Sequence, residues 1–313
     1  MYRAIYVATR LLQMIPTLFL IGVAVFIIAR LLPGDSVSAM LGDRATEEAV
    51  QRLTRQLGLD QSIFAQFVAF LQAIARGEFG TSLAFRVPVT SLIAERLPAT
   101  LMLTGLATLI AIVLSVPLAF CAALQANRWP DLLIRSVFQV GLSSPIFFVG
   151  LVLLTVFAAW LHIFPVGGYG EGVLDNLHHL FLPALTLALS FAAVIMRSLR
   201  ASILQVLRAE FVEFARAKGL AGRIILFRHV MRNALIATVT LIGLHIGQLL
   251  GGAVITESVF AVPGVGRLMV DSIFARDYPV IQSLTFVLAL LVSIAFLITD
   301  IIQMWLDPRV SRS

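Results

Sequence analysis

Few of the 313 residues carry side chains able to do chemistry, and their spacing narrows what that chemistry is. The single lysine, Lys218, is followed by Gly219-Leu220, and no G-x-x-x-x-G-K-[ST] stretch occurs, so the chain has no P-loop of its own for ATP. No H-E-x-x-H, C-x-x-C or G-x-S-x-G pattern is present. The one cysteine, Cys121, lies in an apolar run and reads as a packed core thiol, leaving neither a disulfide framework nor a thiolate metal site. The polar groups that remain gather in a few places. A basic amphipathic segment holds Phe211, Glu213, Phe214, Ala215, Arg216, Lys218 and Gly219. An apolar run with glycine every fourth residue, Gly243, Gly247 and Gly251, also carries His245 and Gln248. The irregular stretch after it carries Glu257, Pro263, Gly264, Gly266, Arg267 and Asp277.

These side chains must be positioned by membrane-spanning helices. The chain is 59% hydrophobic and 13% charged, against about 25% charge in a soluble domain, and its mean hydropathy is +0.97. Apolar stretches of roughly 20 residues suffice to cross a hydrocarbon core of about 30 Å. Six spans are expected, at 11–30, 99–124, 136–161, 179–197, 234–256 and 281–304, with Pro16, Pro117 and Pro145 as kink sites. The first run is too long for the apolar core of a signal peptide, and no small-x-small cleavage site follows it, so it reads as an uncleaved span.

Basic residues set the orientation. With the N-terminus inside, the inner segments hold Arg3, Arg10, Arg128, Arg135, Arg309, Arg312 and the eight from Arg197 to Arg232, whereas the short outer loops hold only Arg267 and Arg276. This asymmetry places both termini in the cytoplasm. It also accounts for the net charge of +6 without nucleic acid as a partner. The expected organisation is an N-terminus and first span (1–31), an extracytoplasmic helical domain (32–97), and a core of five spans (98–313) with a cytoplasmic loop at about 198–233. In the outer domain Thr46 should cap one helix that ends at Gly58. Asp60 should cap a second that stops at Gly77, and Pro88 should begin a third, short one.

Ionisable groups at membrane depth are scarce: His245 and, near the inner end of the last span, Asp300. A proton- or sodium-coupled carrier places several such residues there. His245 reads either as a partnered packing residue or as a contact to a transported solute, with Gln248 beside it. Asp300 suits a helix-end role better than a relay. The glycine stripe allows close backbone approach, within this chain or to another. The outer stretch around Pro263 is either a solvated loop with ion pairs or an outer gate and docking surface. The basic segment predicts helix, sharp turn, helix. It could bind anionic lipid, be a solvated loop, or dock a partner, and phenylalanines beside a glycine hinge favour a partner with a groove.

Glu213-Phe-Ala215-x-x-x-Gly219 resembles the E-A-A-x-x-x-G loop of ABC-importer permeases. The surrounding "FARAKGL" and "RHVMRNAL" resemble the peptide/nickel/opine branch. "RLLPGD", "LGLDQ" (57–61), "ERLPATL" (95–101), "LPALTL" (182–187), "LLGGAVITESVFAVPGVGR" (249–267), "RDYPVIQ" (276–282) and the terminal "LDPR" fit in order, so the resemblance covers essentially the whole chain. Phe214 departs from the motif's small residue, Ala237 stands where the branch often has proline, and Phe211 replaces a frequent tyrosine. The resemblance implies an all-α type I ABC-importer permease in the bacterial inner membrane, with a loop that fits a cleft in a separate ATPase. It further implies a second permease, two ATP-binding subunits and an extracytoplasmic binding protein as partners. ATP and Mg would be held by the partners, and no cofactor by this chain. The cargo is a nickel or metal chelate, or a di- or oligopeptide. His245, with His162, His178 and His179 on the outer side, inclines the reading slightly to the metal. A standalone secondary transporter or channel is the alternative class.

Overall fold

The computed structural model describes residues 2–31, 46–56, 58 and 60–306. Most of "RLLPGD", part of "LGLDQ", and the residues after Leu306 with Arg309 and Arg312 lie outside the described residues, as does the side chain of Ala237. The described chain is helical throughout, with one isolated bridge between Thr81 and Pro88. In order it forms α1 (Tyr2–Leu31), α2 (Glu47–Gln56), α3 (Ile63–Arg76), α4 (Val89–Leu124), α5 (Trp129–Ser143) and α6 (Ile146–Leu153), the last prolonged by a π-helical segment Leu154–Trp160. Then come α7 (Val173–Leu207), α8 (Glu210–Ala217), a single turn α9 (Gly222–Ile224), a π-helical segment Ile225–Val230, α10 (Met231–Val259), α11 (Val265–Phe274) and α12 (Tyr278–Leu306).

Four helices are long and apolar enough to cross a membrane alone, and two bent pairs make six if each counts as one span. The expected third span is one of these pairs. Pro145 cannot donate to the helix ladder, and Ser144 before it is extended, so α5 and α6 meet at a bend of 106°. Pro16 and Pro117, by contrast, sit inside continuous helices.

The core is the contact of α4 with α7. On α4, Ala99, Leu103, Ala107, Ala111, Ser115 and Ala119 recur every fourth residue and are buried, so one helix face is nearly flat. Close approach of backbones is what holds helices together where lipid is as apolar as the side chains. On α7 the matching residues are larger, among them Leu180, Leu187, Phe191, Ile195 and Leu199. A second apolar cluster at the other end joins Val89, Leu92 and Ile93 to Val265, Leu268, Val280 and Leu284.

The segment between the first two spans departs from expectation in two ways. The Thr46 hydroxyl accepts the Ala49 amide, as a cap should, but α3 is capped by Ser62 rather than Asp60. Its left-handed stop at Gly77 is as expected. Pro88 begins no short third helix. It opens α4, which runs unbroken for 36 residues. Phe67 and Phe70 of α3 pack on Phe26 of α1 at 5.1 and 5.6 Å, and Phe67 also meets Phe19. Thus α3 lies along the C-terminal half of α1.

Candidate functional site

The loop between α7 and α10 is built around α8. Glu210 and Glu213 fall in its first turn, where carboxylates favour the helix dipole. Val212 and Ala215 are buried in the core with Ile225 and Val230. Phe211 and Phe214 on the other face are 46% and 62% exposed, large values for aromatic side chains. The helix ends in a two-bond clasp. The Gly219 amide donates to Arg216 O at 2.9 Å and the Leu220 amide to Ala215 O at 3.2 Å. That pairing requires a left-handed residue at Gly219, whose φ is +75°. The Lys218 ammonium lies 4.5 Å from the centre of the Phe214 ring and holds it by a cation–π contact. The predicted helix, turn, helix is therefore present. The spacing of Glu213, Ala215 and Gly219 corresponds to a first-turn acid, a small buried contact and a stop.

At the opposite end, the stretch around Pro263 is held by a buried clamp rather than being a solvated loop with ion pairs. The Glu257 carboxylate is fully buried. It accepts the Thr100 hydroxyl at 2.5 Å and the Arg267 amide at 2.9 Å, while Thr100 Oγ1 accepts the Val265 amide at 2.9 Å. One acidic side chain thus ties α4, α10 and the N-terminus of α11. Gly264 and Gly266 are required by proximity: a Cβ at Gly264 would lie 2.2 Å from the Glu257 carboxyl, and one at Gly266 2.7 Å from the Val254 backbone. Pro263, half-buried, opens this turn, and the Arg267 guanidinium turns to the Ala261 carbonyl. Asp277 is also fully buried and accepts the Ser82 hydroxyl and the Ala84 amide, fastening the turn before α4 to the start of α12. Glu257, Gly264, Gly266 and Asp277 are therefore scaffold, and their burial removes them from direct docking. Asp271, Ile273, Phe274, Ala275 and Arg276 of this stretch are exposed.

On α10 the glycine stripe divides. Gly243 and Gly247 face α12, where added Cβ atoms would meet Thr299 at 2.1 Å and Val292 at 3.1 Å. Gly251 meets nothing within 4 Å. His245 Nδ1 lies 2.5 Å from Gln248 Oε1, and its ring packs on Phe191 at 5.5 Å. Gln248, Gly251, Leu244 and Ile255 share an exposed face of the same helix. Of the other histidines, His162, His178 and His179 each face a backbone carbonyl.

Two ion pairs escape a reading of the sequence alone. Arg200 grips the buried Asp131 with both arms, Nε at 2.7 Å and Nη2 at 2.6 Å, joining α5 to α7 shortly before α8. Asp131 lies ahead of the expected span at 136–161, in a stretch that carries no signal of a partner; the structure places it in the first turn of α5. Arg10 pairs with Asp300 at 3.1 Å and joins α1 to α12, which fits a structural role for Asp300.

Comparison with known proteins follows the same lines. The family model for binding-protein-dependent transport system inner membrane components matches residues 111–312, and the model for the N-terminal part of such membrane components matches 1–104. The glutathione transport system permease protein GsiC of Escherichia coli K12 is 39% identical over 305 residues, covering 97% of this chain and 98% of its own. Its counterpart in Salmonella paratyphi A is 38% identical over the same length. Among solved structures, the MetNI methionine ABC transporter in an inward-facing conformation aligns with a TM-score of 0.59 at 16% identity, covering 69% of this chain and 96% of that one. An amino acid ABC transporter aligns at 0.52 and 19% identity, covering 70% and 94%.

Proposed function

The chain belongs to the family of binding-protein-dependent transport system inner membrane components, and from that premise we propose how it works. It is a multi-pass inner-membrane permease subunit of an ABC importer and not itself an enzyme. The standalone carrier or channel reading falls with that membership. In our reading α8 is the coupling helix. Phe211 and Phe214 enter a groove on a separate ATPase subunit, Glu213, Arg216 and Lys218 border the contact, and Ala215 and Gly219 fix its shape. ATP and Mg are held by two such partners and not by this chain. A second permease covers the open face of α10, so that His245, Gln248 and Gly251 border the pathway between the two. An extracytoplasmic binding protein delivers cargo to the outer mouth, where the Glu257 clamp orders the gate around Pro263 and Arg267. Both termini are cytoplasmic, in keeping with the basic residues on the side of α8.

The observation that carries the coupling assignment is the pair of outward phenylalanines on a short helix whose other face is rooted in the core. Burying the exposed part of each would contribute about 1 kcal/mol, enough to register a contact without locking it. For cargo, short peptides of the glutathione kind are favoured over metal chelates. The relatives named above are glutathione permeases, and among the described residues no three His, Cys, Asp or Glu side chains gather where they could hold a metal ion. The test is the Phe211→Ala/Phe214→Ala double variant, co-expressed with its partners and reconstituted in liposomes. The chain should insert normally while uptake and cargo-stimulated ATP hydrolysis are lost. Survival of both activities would overturn the assignment.

A further inference from the structure

A cleft of about 820 Å³ opens between α5 and α7, close to the end of α7 from which α8 departs. Its arginines are Arg135, Arg197, Arg200 and Arg208. Of these, only Arg200 has a carboxylate partner within ion-pair distance among the described residues, the buried Asp131. Arg135, Arg197 and Arg208 are exposed around it. Four positive charges against one negative leave a strong anion-attracting field, and guanidinium forks match phosphate oxygens.

The surroundings decide what kind of anion fits. Leu132 and Val140, which also line the cleft, are 55% and 67% exposed. Along the same helix Trp129, Leu133 and Val137 are exposed as well. A soluble anion gains nothing from these side chains. They suit acyl chains, with the arginines at headgroup level and their stems along apolar surface. The volume also far exceeds that of a bare phosphate.

We propose that the cleft between α5 and α7 is a binding site for an anionic phospholipid, the phosphate held by Arg197 and Arg208 and the acyl chains lying on the apolar face of α5. Bound there, the lipid braces α5 against α7 beside the Asp131–Arg200 pair. The site is separate from the exposed face of α10 and from the phenylalanines of α8, so it stands whether or not those assignments do.

The test is native mass spectrometry of the chain purified with its partner subunits, titrated with phosphatidylglycerol or phosphatidylcholine. The tightest site should prefer phosphatidylglycerol by about 30-fold, roughly fivefold per arginine. Arg197→Gln/Arg208→Gln should bring the two lipids near parity, whereas Arg223→Gln/Arg228→Gln, on the far side of α8, should keep the preference. A photoactivatable phosphatidylglycerol on the unmodified complex should crosslink within 129–142 and 193–208, a readout that needs no variant to fold. The proposal is overturned by equal retention of both lipids, by a preference that survives Arg197→Gln/Arg208→Gln, or by crosslinks elsewhere. Displacement of the lipid by millimolar inorganic phosphate or glutathione would overturn it too, by marking the cleft as a site for soluble anions or for cargo.

Discussion

Replacing Gly219 isolates the shape of α8, the helix proposed to couple, from its contacts. No atom lies within 4 Å of where a Cβ would stand, so a side chain there meets no steric obstacle outside its own backbone. The whole penalty comes from φ at +75°. For an ordinary L-residue that region costs about 1–2 kcal/mol, less for Asn and more for β-branched residues. The alternative is to leave it, which breaks the Gly219-to-Arg216 and Leu220-to-Ala215 bonds at about 0.5–1.5 kcal/mol each. The cheaper route, at about 1–2 kcal/mol, sets a loss of roughly 5- to 30-fold in the population holding α8 in its clasped form. Uptake by reconstituted transporter should therefore fall in the order Gly, Asn, Ala, Val. Membrane insertion and detergent-purified yield should stay level, since Gly219 touches no part of the core. The assay is initial-rate uptake in proteoliposomes alongside cargo-stimulated ATP hydrolysis. Equal activity of the Asn and Val variants would refute the backbone argument. An Ala variant that transports like the parent would refute the need for the clasp altogether.

Other expectations follow from contacts already described. Gly243→Ala should lower the melting temperature of the purified complex, because its Cβ would fall 2.1 Å from Thr299 Cγ2 and overpacking costs about 1–3 kcal/mol; Gly251→Ala, open on the same helix, should leave it unchanged. Glu257→Ala strands the Thr100 hydroxyl and the Arg267 amide, a loss of about 1–3 kcal/mol, whereas Glu257→Gln keeps one of the two accepting oxygens and should fall between; thermal denaturation of the two variants measures this order. Arg200→Gln leaves Asp131 buried without its cation and should cost about 3–5 kcal/mol, seen as reduced heat stability that Arg197→Gln does not share. His245→Ala should alter peptide uptake more than it alters basal ATP hydrolysis, since the His245–Gln248 pair lies on α10, far in sequence from α8; unchanged uptake kinetics would remove His245 from the pathway.

Span number and the place of α8 were legible because they rest on local signals. Apolar length sets the spans, and an acid, small residue and glycine at fixed offsets set the helix and its stop. What was not legible depends on residues far apart in sequence. Glu257 reads as an exposed outer charge until Thr100, 157 positions earlier, is seen to donate to it. Asp277 is likewise hidden by a partner in the turn before α4. The alanine stripe of α4 had a readable period of four, but alanine is so common in apolar helices that only the packing on α7 gives it meaning. Pro145 announced a break, yet a proline alone does not say whether the chain continues or turns by 106°.

The buried charges share a pattern that bears on how such a protein can be driven. Asp131 is paired with a guanidinium, whereas Glu257 and Asp277 each accept a hydroxyl and a backbone amide, both on the same oxygen in Asp277. Each sits where helices begin or end, and each joins elements that are distant in sequence. A carrier powered by an ion gradient needs groups that change protonation or coordination in mid-membrane. These carboxylates are instead fastened at junctions, where losing a partner would strand them. They tie α5 to α7, α10 to α4, and the start of α12 to the turn before α4. Such a construction suits force applied at one end better than a charge entering its middle, and under the coupling proposal that end is α8, whose Val212 and Ala215 are packed with Ile225 and Val230 at the approach to α10.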